Sequence, residues 1–158
     1  MAVTLNASTS TGLVQSADTS GIITLQNNGT NAVTVDNGNL QFNSGYGSVA
    51  TAYGCRAWVN FNGTGTVAIR ASGNVSSITD SGVGVYIVNF TTAITDGNYD
   101  FNASCYSGSG GEGDVIWTYS SGTLGTTGLG IACGVPGTAG VTGYTARDNA
   151  VICVSIFR

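Results

Sequence analysis

The side chains of this sequence able to do chemistry are few. There are eight carboxylates, four arginines (Arg56, Arg70, Arg147 and Arg158) and four cysteines (Cys55, Cys105, Cys133 and Cys153), with no lysine and no histidine. Without histidine there is no Ser-His-Asp or Cys-His arrangement, and without lysine no Schiff base or Ser-Lys dyad. The missing lysine also removes Lys to Asn isopeptide cross-links. A carboxylate pair is the remaining acid–base option, since glycoside hydrolysis needs two acids flanking a bond. The acids here stand mostly in turns, where some pair lies close by chance. Asp96-Gly97-Asn98-Tyr99-Asp100 spaces oxygens as a calcium loop does, but lacks the later bidentate Glu, and a turn between strands explains it equally well. The cysteines are widely spaced, with no C-x-x-C pair and no histidine to complete a zinc site. They read as buried small hydrophobes, the alternative being disulfides formed after release from the cell. The expectation is therefore a protein that is not an enzyme, with no catalytic residue, metal or cofactor.

What remains is recognition by surfaces. A rigid aromatic ring beside a flexible loop offers contact area at low entropic cost. Tyr106 precedes the glycine-rich loop Ser107–Gly113, Trp117 and Tyr119 follow it, and Tyr144 sits by another turn-rich segment. These four are candidate receptor contacts, with packing as the competing role. Trp58 alternates with Ala57 and Val59, so it lies on the opposite strand face. With Arg56 and Arg70 it forms a candidate oligomer interface, packing again being the alternative.

The elements that position these residues are strands. Charged residues make up 8% of the chain against roughly 25% in ordinary domains, and 25 of its 158 residues are glycine. Its 42% apolar content and net charge of −4 favour a folded chain over a disordered one. Four scattered arginines on an acidic chain argue against a nucleic-acid surface. Neither a secretory signal nor a membrane-spanning run is visible, so synthesis in the cytoplasm is expected.

No helical periodicity persists, and the β-branched residues, Gly and Asn favour short strands and turns. Ile22–Gln26, Ala32–Val35 and Leu40–Phe42 are divided by Asn28-Gly29 and Asn37-Gly38, which suit hairpin turns. From Val49 the strands lengthen. Ala57, Val59 and Phe61 form one apolar face of a hairpin whose return strand carries Val67, Ile69 and Ala71. Val75–Thr79 and Val85–Phe90 follow, the latter apolar on both faces, then the strand carrying Tyr99, Phe101, Ala103 and Cys105. Further candidates are Val115–Tyr119, Gly130–Cys133, Val141–Thr145 and Ala150–Phe157. The expected fold is all-β: a short β-meander N-terminal arm over 1–45, then an antiparallel β-sandwich head, jelly-roll-like, over 46–158. Exposed edges and two-sided apolar strands would favour aggregation unless a closed homo-oligomer covers them.

CRAWVNFNGTGTVAIRASGNVSSITDSGVGVYIVNFTTAITDGNYDF, residues 55–101, resembles a domain of bacteriophage tail fibre and related virion proteins, common in phages of cyanobacteria and other marine bacteria. The matching elements are R-A-W-V-N-F, G-T-G-T-V, R-A-S-x-N-V-S-S-I-T-D and Y-x-V-N-F-T-T. ADTSGIITLQNNGTNAVTVD, residues 17–36, also resembles the N-terminal part of such fibres. The two segments cover under half of the chain. The resemblance implies a non-enzymatic homotrimer in the virion, assembled in the host cytoplasm, with an outer end that contacts host surface glycan. A short tail fibre or fibre tip used in host adsorption fits first. A capsid decoration or head-fibre protein is the alternative, and a free carbohydrate-binding module the third. Other virion proteins are the implied partners, with no nucleic acid and no membrane insertion. The resemblance carries no site residues.

Overall fold

The computed structural model describes residues 20–44, 48–108, 114–119, 124–137 and 143–158. The arm's first 19 residues, loop residues 109–113 and the expected strand start at Val141 and Thr142 lie outside the described residues. Among the described residues every regular element is a β-strand, all pairings are antiparallel and there is no helix. The chain divides into two compact units, 1–52 and 53–158.

The first unit is a four-stranded meander: β1 (Ile23–Asn27), β2 (Thr30–Asp36), β3 (Asn39–Phe42) and β4 (Ala50–Thr51), in that spatial order. Its two tight turns use Asn-Gly because both central residues need positive φ. Asn28 and Gly29 stand at 49° and 75°, Asn37 and Gly38 at 48° and 77°. This geometry fixes the register, pairing Ile23 with Val35 and Val35 with Leu40, then Leu25 with Val33 and Val33 with Phe42. The unit ends at Ala52 rather than at residue 45. β4 returns to pair Ala50 with Phe42 and Thr51 with Gln41, and the Ala52 N–H donates to the Leu40 carbonyl.

The second unit holds two sheets. One runs β6 (Ala68–Gly73), β5 (Cys55–Asn62), β13 (Val151–Phe157), β9 (Asp100–Tyr106). The other runs β10 (Val115–Thr118), β11 (Gly128–Pro136), β8 (Val85–Phe90), β7 (Val75–Gly82), with β12 (Tyr144–Ala146) also paired to β11. Their inward residues form one buried cluster. Ala57, Val59 and Phe61 come from β5 and Ile152, Val154 and Ile156 from β13. Tyr86, Val88 and Phe90 come from β8 and Leu129, Ile131 and Cys133 from β11. Each large side chain buried there contributes about 1.5–3 kcal/mol. Phe61 meets Tyr86 edge-on at 5.2 Å, as does Phe90 with Tyr99 at 6.2 Å.

The β5–β6 hairpin departs from simple alternation. β6 is an edge strand whose Ile69 and Ala71 remain exposed, so the apolar face expected on it is not buried. The register jumps from Asn60↔Ala71 to Phe61↔Ile69, leaving Arg70 as the extra residue of a bulge. Its guanidinium thereby reaches Asn60 Oδ1 and the Ala150 carbonyl.

Polar pins join the sheets. The Tyr86 hydroxyl on β8 donates to Asp148 Oδ1 at 2.8 Å and lies 3.0 Å from the Gly63 carbonyl, just past β5. Gly63 must be glycine, since a Cβ there would collide with the Tyr86 ring and hydroxyl. The Gly84 N–H donates to the same carboxylate oxygen, and the Gly63 N–H to the Asn149 carbonyl. Asn74, at φ 56°, links β6 to β7. Its side-chain amide donates to the carbonyls of Arg56 and Thr92, while its Oδ1 accepts the Thr92 N–H.

Burial, with Asp148 as hydrogen-bond partner, raises the Tyr86 phenol far above the usual tyrosine range. The folded value exceeds the unfolded one of about 10, so the stability this phenol contributes is complete below that pH and lost as pH rises above it. Tyr86→Phe is predicted to cost about 1–3 kcal/mol in urea unfolding at neutral pH, and to flatten the fall in stability between about pH 10 and 12. An unchanged alkaline slope would remove the pin from the account.

Candidate functional site

Three outward surfaces gather the residues suited to recognition. The first is the outer face of the β6–β5–β13–β9 sheet. Inward positions of β5 and β13 are apolar, so the alternate positions point outward and register sets them in rows: Gly73, Trp58, Ser155 and Asn102, then Ala71, Asn60, Cys153 and Ser104. The Trp58 indole lies against Gly73, where a Cβ would overlap it. The ring is thus laid along the sheet, and Trp58 remains 44% exposed. Beside it is a concavity of about 400 Å³ lined by Asn60, Asn102, Ser104, Cys153 and Ser155. Asn60 Nδ2 donates to Cys153 Sγ, and its Oδ1 accepts from Arg70. The lining offers amide and hydroxyl groups around an aromatic platform and contains no ionised group.

The second surface is on the other sheet. Trp117 pairs with Ala132, and Tyr144 with Pro136, so both rings lie on the face of β11 that carries Gly130, Ala132 and Gly134, where the β12 backbone approaches too closely for a Cβ at Gly134. The rings stack at 4.6 Å with an interplanar angle of 27°, and Tyr144 is 60% exposed. Next to them Arg147 pairs with Asp114, a carboxylate only 2% exposed.

The third surface is in the first unit. Ile23, Leu25, Val33, Val35, Leu40, Phe42 and Ala50 share one face through the β1–β2–β3–β4 register. Leu40 is 52% exposed and Leu25, Phe42, Ile23 and Val35 are also exposed, whereas Thr34 on the opposite face is buried. The only charged residue described in this unit is Asp36.

The four candidate receptor aromatics therefore do not form one cluster. Trp117 and Tyr144 stack together. Tyr106 ends β9 on the opposite sheet, on the same outer face as Trp58, and Tyr119 is half-buried just past β10, its N–H donating to the Gly130 carbonyl. Of the candidate interface residues, Trp58 lines the concavity, Arg70 holds Asn60 from its edge without lining it, and Arg56 is exposed with its carbonyl holding Asn74. Sequence reasoning missed Asn60, Asn102, Ser104 and Ser155. Their signal was the small polar residue at each outward position of strands whose inward positions are apolar.

Asp96, in the turn weighed as a calcium loop, is engaged by Arg158. Both its oxygens accept from the guanidinium at 2.7 and 2.8 Å, and Oδ1 also accepts the Asn98 N–H. The four cysteines are free thiols: Cys55 exposed, Cys105 and Cys153 half-buried, Cys133 buried. No protein family, curated protein or solved structure matches the chain.

The Asp114–Arg147 pair makes a sharp prediction. Arg147→Met leaves a buried carboxylate without its cation and should cost about 3–5 kcal/mol in chemical denaturation. Asp114→Asn combined with it should recover a large part of that loss. Equal stability of the single and double variants would show that the pair does not hold this corner.

Proposed function

We propose that this chain is a structural protein of a phage virion, a short homotrimeric tail fibre or fibre tip that takes part in host adsorption. In this reading the N-terminal meander is an assembly arm, and the two C-terminal sheets are a jelly-roll-like sandwich head. The observation that carries it is the exposed apolar face Ile23, Leu25, Val35, Leu40 and Phe42. With large side chains of roughly 150–200 Å² each about half exposed, the face leaves on the order of 400 Å² of apolar surface uncovered. A patch of that size equals the largest found on typical monomers, which are often functional, and on a sheet whose described edge strands are unpaired it favours a contact surface. Among the described residues of the unit Asp36 is the one charge, so none of them but Asp36 repels an identical face or attracts a charged partner. The resemblance of residues 17–36 and 55–101 to fibre proteins supplies the trimeric order and the virion setting.

The concave face around Trp58 supports the adsorption half of the reading. A sugar ring presents C–H groups to an aromatic platform and hydroxyls to neutral amides, and the lining of this concavity offers both, with the Arg70 guanidinium bound to Asn60 at its edge. A saccharide of the host surface is the occupant this chemistry fits, and in this reading Trp58 serves adsorption rather than the interface between chains.

Two variants test the division of labour. Leu40→Asp should lower the native mass by light scattering from three chains to one with the head still folded. Trp58→Ala should leave the mass unchanged and reduce adsorption to host cells at least tenfold. A trimer that survives Leu40→Asp removes the assembly arm from the account, and unchanged adsorption by Trp58→Ala removes the saccharide face. Copy number in purified particles separates the placements: a few per cent of the capsid subunits or less fits a tail, and a fixed large fraction a capsid decoration protein.

A further inference from the structure

The outer face of the β6–β5–β13–β9 sheet continues past the Trp58 concavity. On β13 the inward residues are Ile152, Val154 and Ile156, and on β9 Phe101, Ala103 and Cys105 pack against the core. The alternate residues face outward, and the register sets Ser155 beside Asn102 and then Phe157 beside Asp100. Ser155 and Asn102 line the first concavity. Phe157 and Asp100 stand one outward step further along their strands, about 7 Å away. With Tyr53, Asn98 and Arg158 they line a second concavity of about 600 Å³.

Hydrogen bonds hold the residues of this second concavity in place. The Arg158 N–H donates to the Gly54 carbonyl at 3.3 Å, which keeps the neighbouring Tyr53 beside the end of β13. The Arg158 guanidinium donates to both oxygens of Asp96, at 2.7 and 2.8 Å, and to the Asn98 carbonyl at 2.7 Å. The bidentate pair fixes the guanidinium plane and balances its charge. With Arg158 matched by Asp96, the net charge of the lining is that of the exposed Asp100. Two rings complete the site, Tyr53 at 75% exposure and Phe157 at 39%.

We propose that the two concavities are adjoining subsites of one cleft, which takes a neutral oligosaccharide running along β13. The inference rests on the saccharide reading of the Trp58 face and extends it from one sugar ring to a chain. In the second subsite the Tyr53 and Phe157 rings cover the C–H face of a pyranose, and the Asp100 carboxylate accepts from its hydroxyls. Arg158, whose five donors exceed the three bonds it makes to Asp96 and Asn98, donates to a hydroxyl oxygen. The offset between the two rows, about 7 Å, is on the scale of one pyranose residue in a chain. A second sugar joined to the first therefore reaches the second subsite without being ordered independently. Asp100 and the net charge of −4 work against uronic and sialic acids.

The test is calorimetric titration of the unsubstituted full chain with one- to four-residue fragments of the saccharide that binds most strongly on a printed array of bacterial surface saccharides. Affinity should rise by about tenfold or more from the monosaccharide to the longer fragments. Tyr53→Ala and Asp100→Ala change exposed positions and should leave the fold intact. Each should abolish most of the gain with length while holding monosaccharide affinity within about twofold. Trp58→Ala should weaken monosaccharide and longer fragments alike. Equal affinity for all fragment lengths overturns the extended cleft and leaves the Trp58 reading standing, as does a gain with length that both variants keep. Binding confined to acidic saccharides overturns the neutral class. If no saccharide on the array binds, the Trp58 reading fails and this inference fails with it.

Discussion

The two-sheet unit depends on the burial of one hydroxyl. Tyr86 fills the middle of the core, and a phenol taken out of water needs a partner. That partner is Asp148, which also accepts the Gly84 N–H, so a single carboxylate holds the segment leading into β13 against the start of β8. Gly63 closes the arrangement from β5, its missing Cβ making the space the phenol occupies. The apolar residues on either side can then interdigitate: Phe61 against Tyr86, with Ile152 and Ile131 fully buried in the same cluster.

Much of this was legible locally. The Asn-Gly turns announced positive φ, and the alternation of Ala57, Val59 and Phe61, of Tyr86, Val88 and Phe90, and of Phe101, Ala103 and Cys105 gave the inward faces. Non-local features were not legible. Nothing in R-A-W-V-N-F tells that its neighbour is V-I-C-V-S-I-F, more than 90 residues away, so the concave face of Trp58, Asn60, Asn102 and Ser155 emerges only once β13 lies between β5 and β9. The bulge at Arg70 defeated simple alternation, because one extra residue reverses the facing of everything beyond it. The separation of Tyr106 from Trp117 and Tyr144 has the same origin: adjacency to one loop in sequence placed them on different sheets.

Surface chemistry then divides along the chain. The head keeps neutral polar groups outward on its concave face, while the meander turns its apolar side out and buries Thr34 on the other. A chain with 8% charged residues has few flanking charges to keep such a face solvated, and the proposed trimer would cover it with the same faces of its sister chains.

Sedimentation equilibrium of the unsubstituted full chain at low micromolar concentration tests this account most directly. The account predicts a single species of three chain masses that persists on dilution. A single species of one chain mass would contradict it, because the apolar face would then stand exposed in a stable monomer.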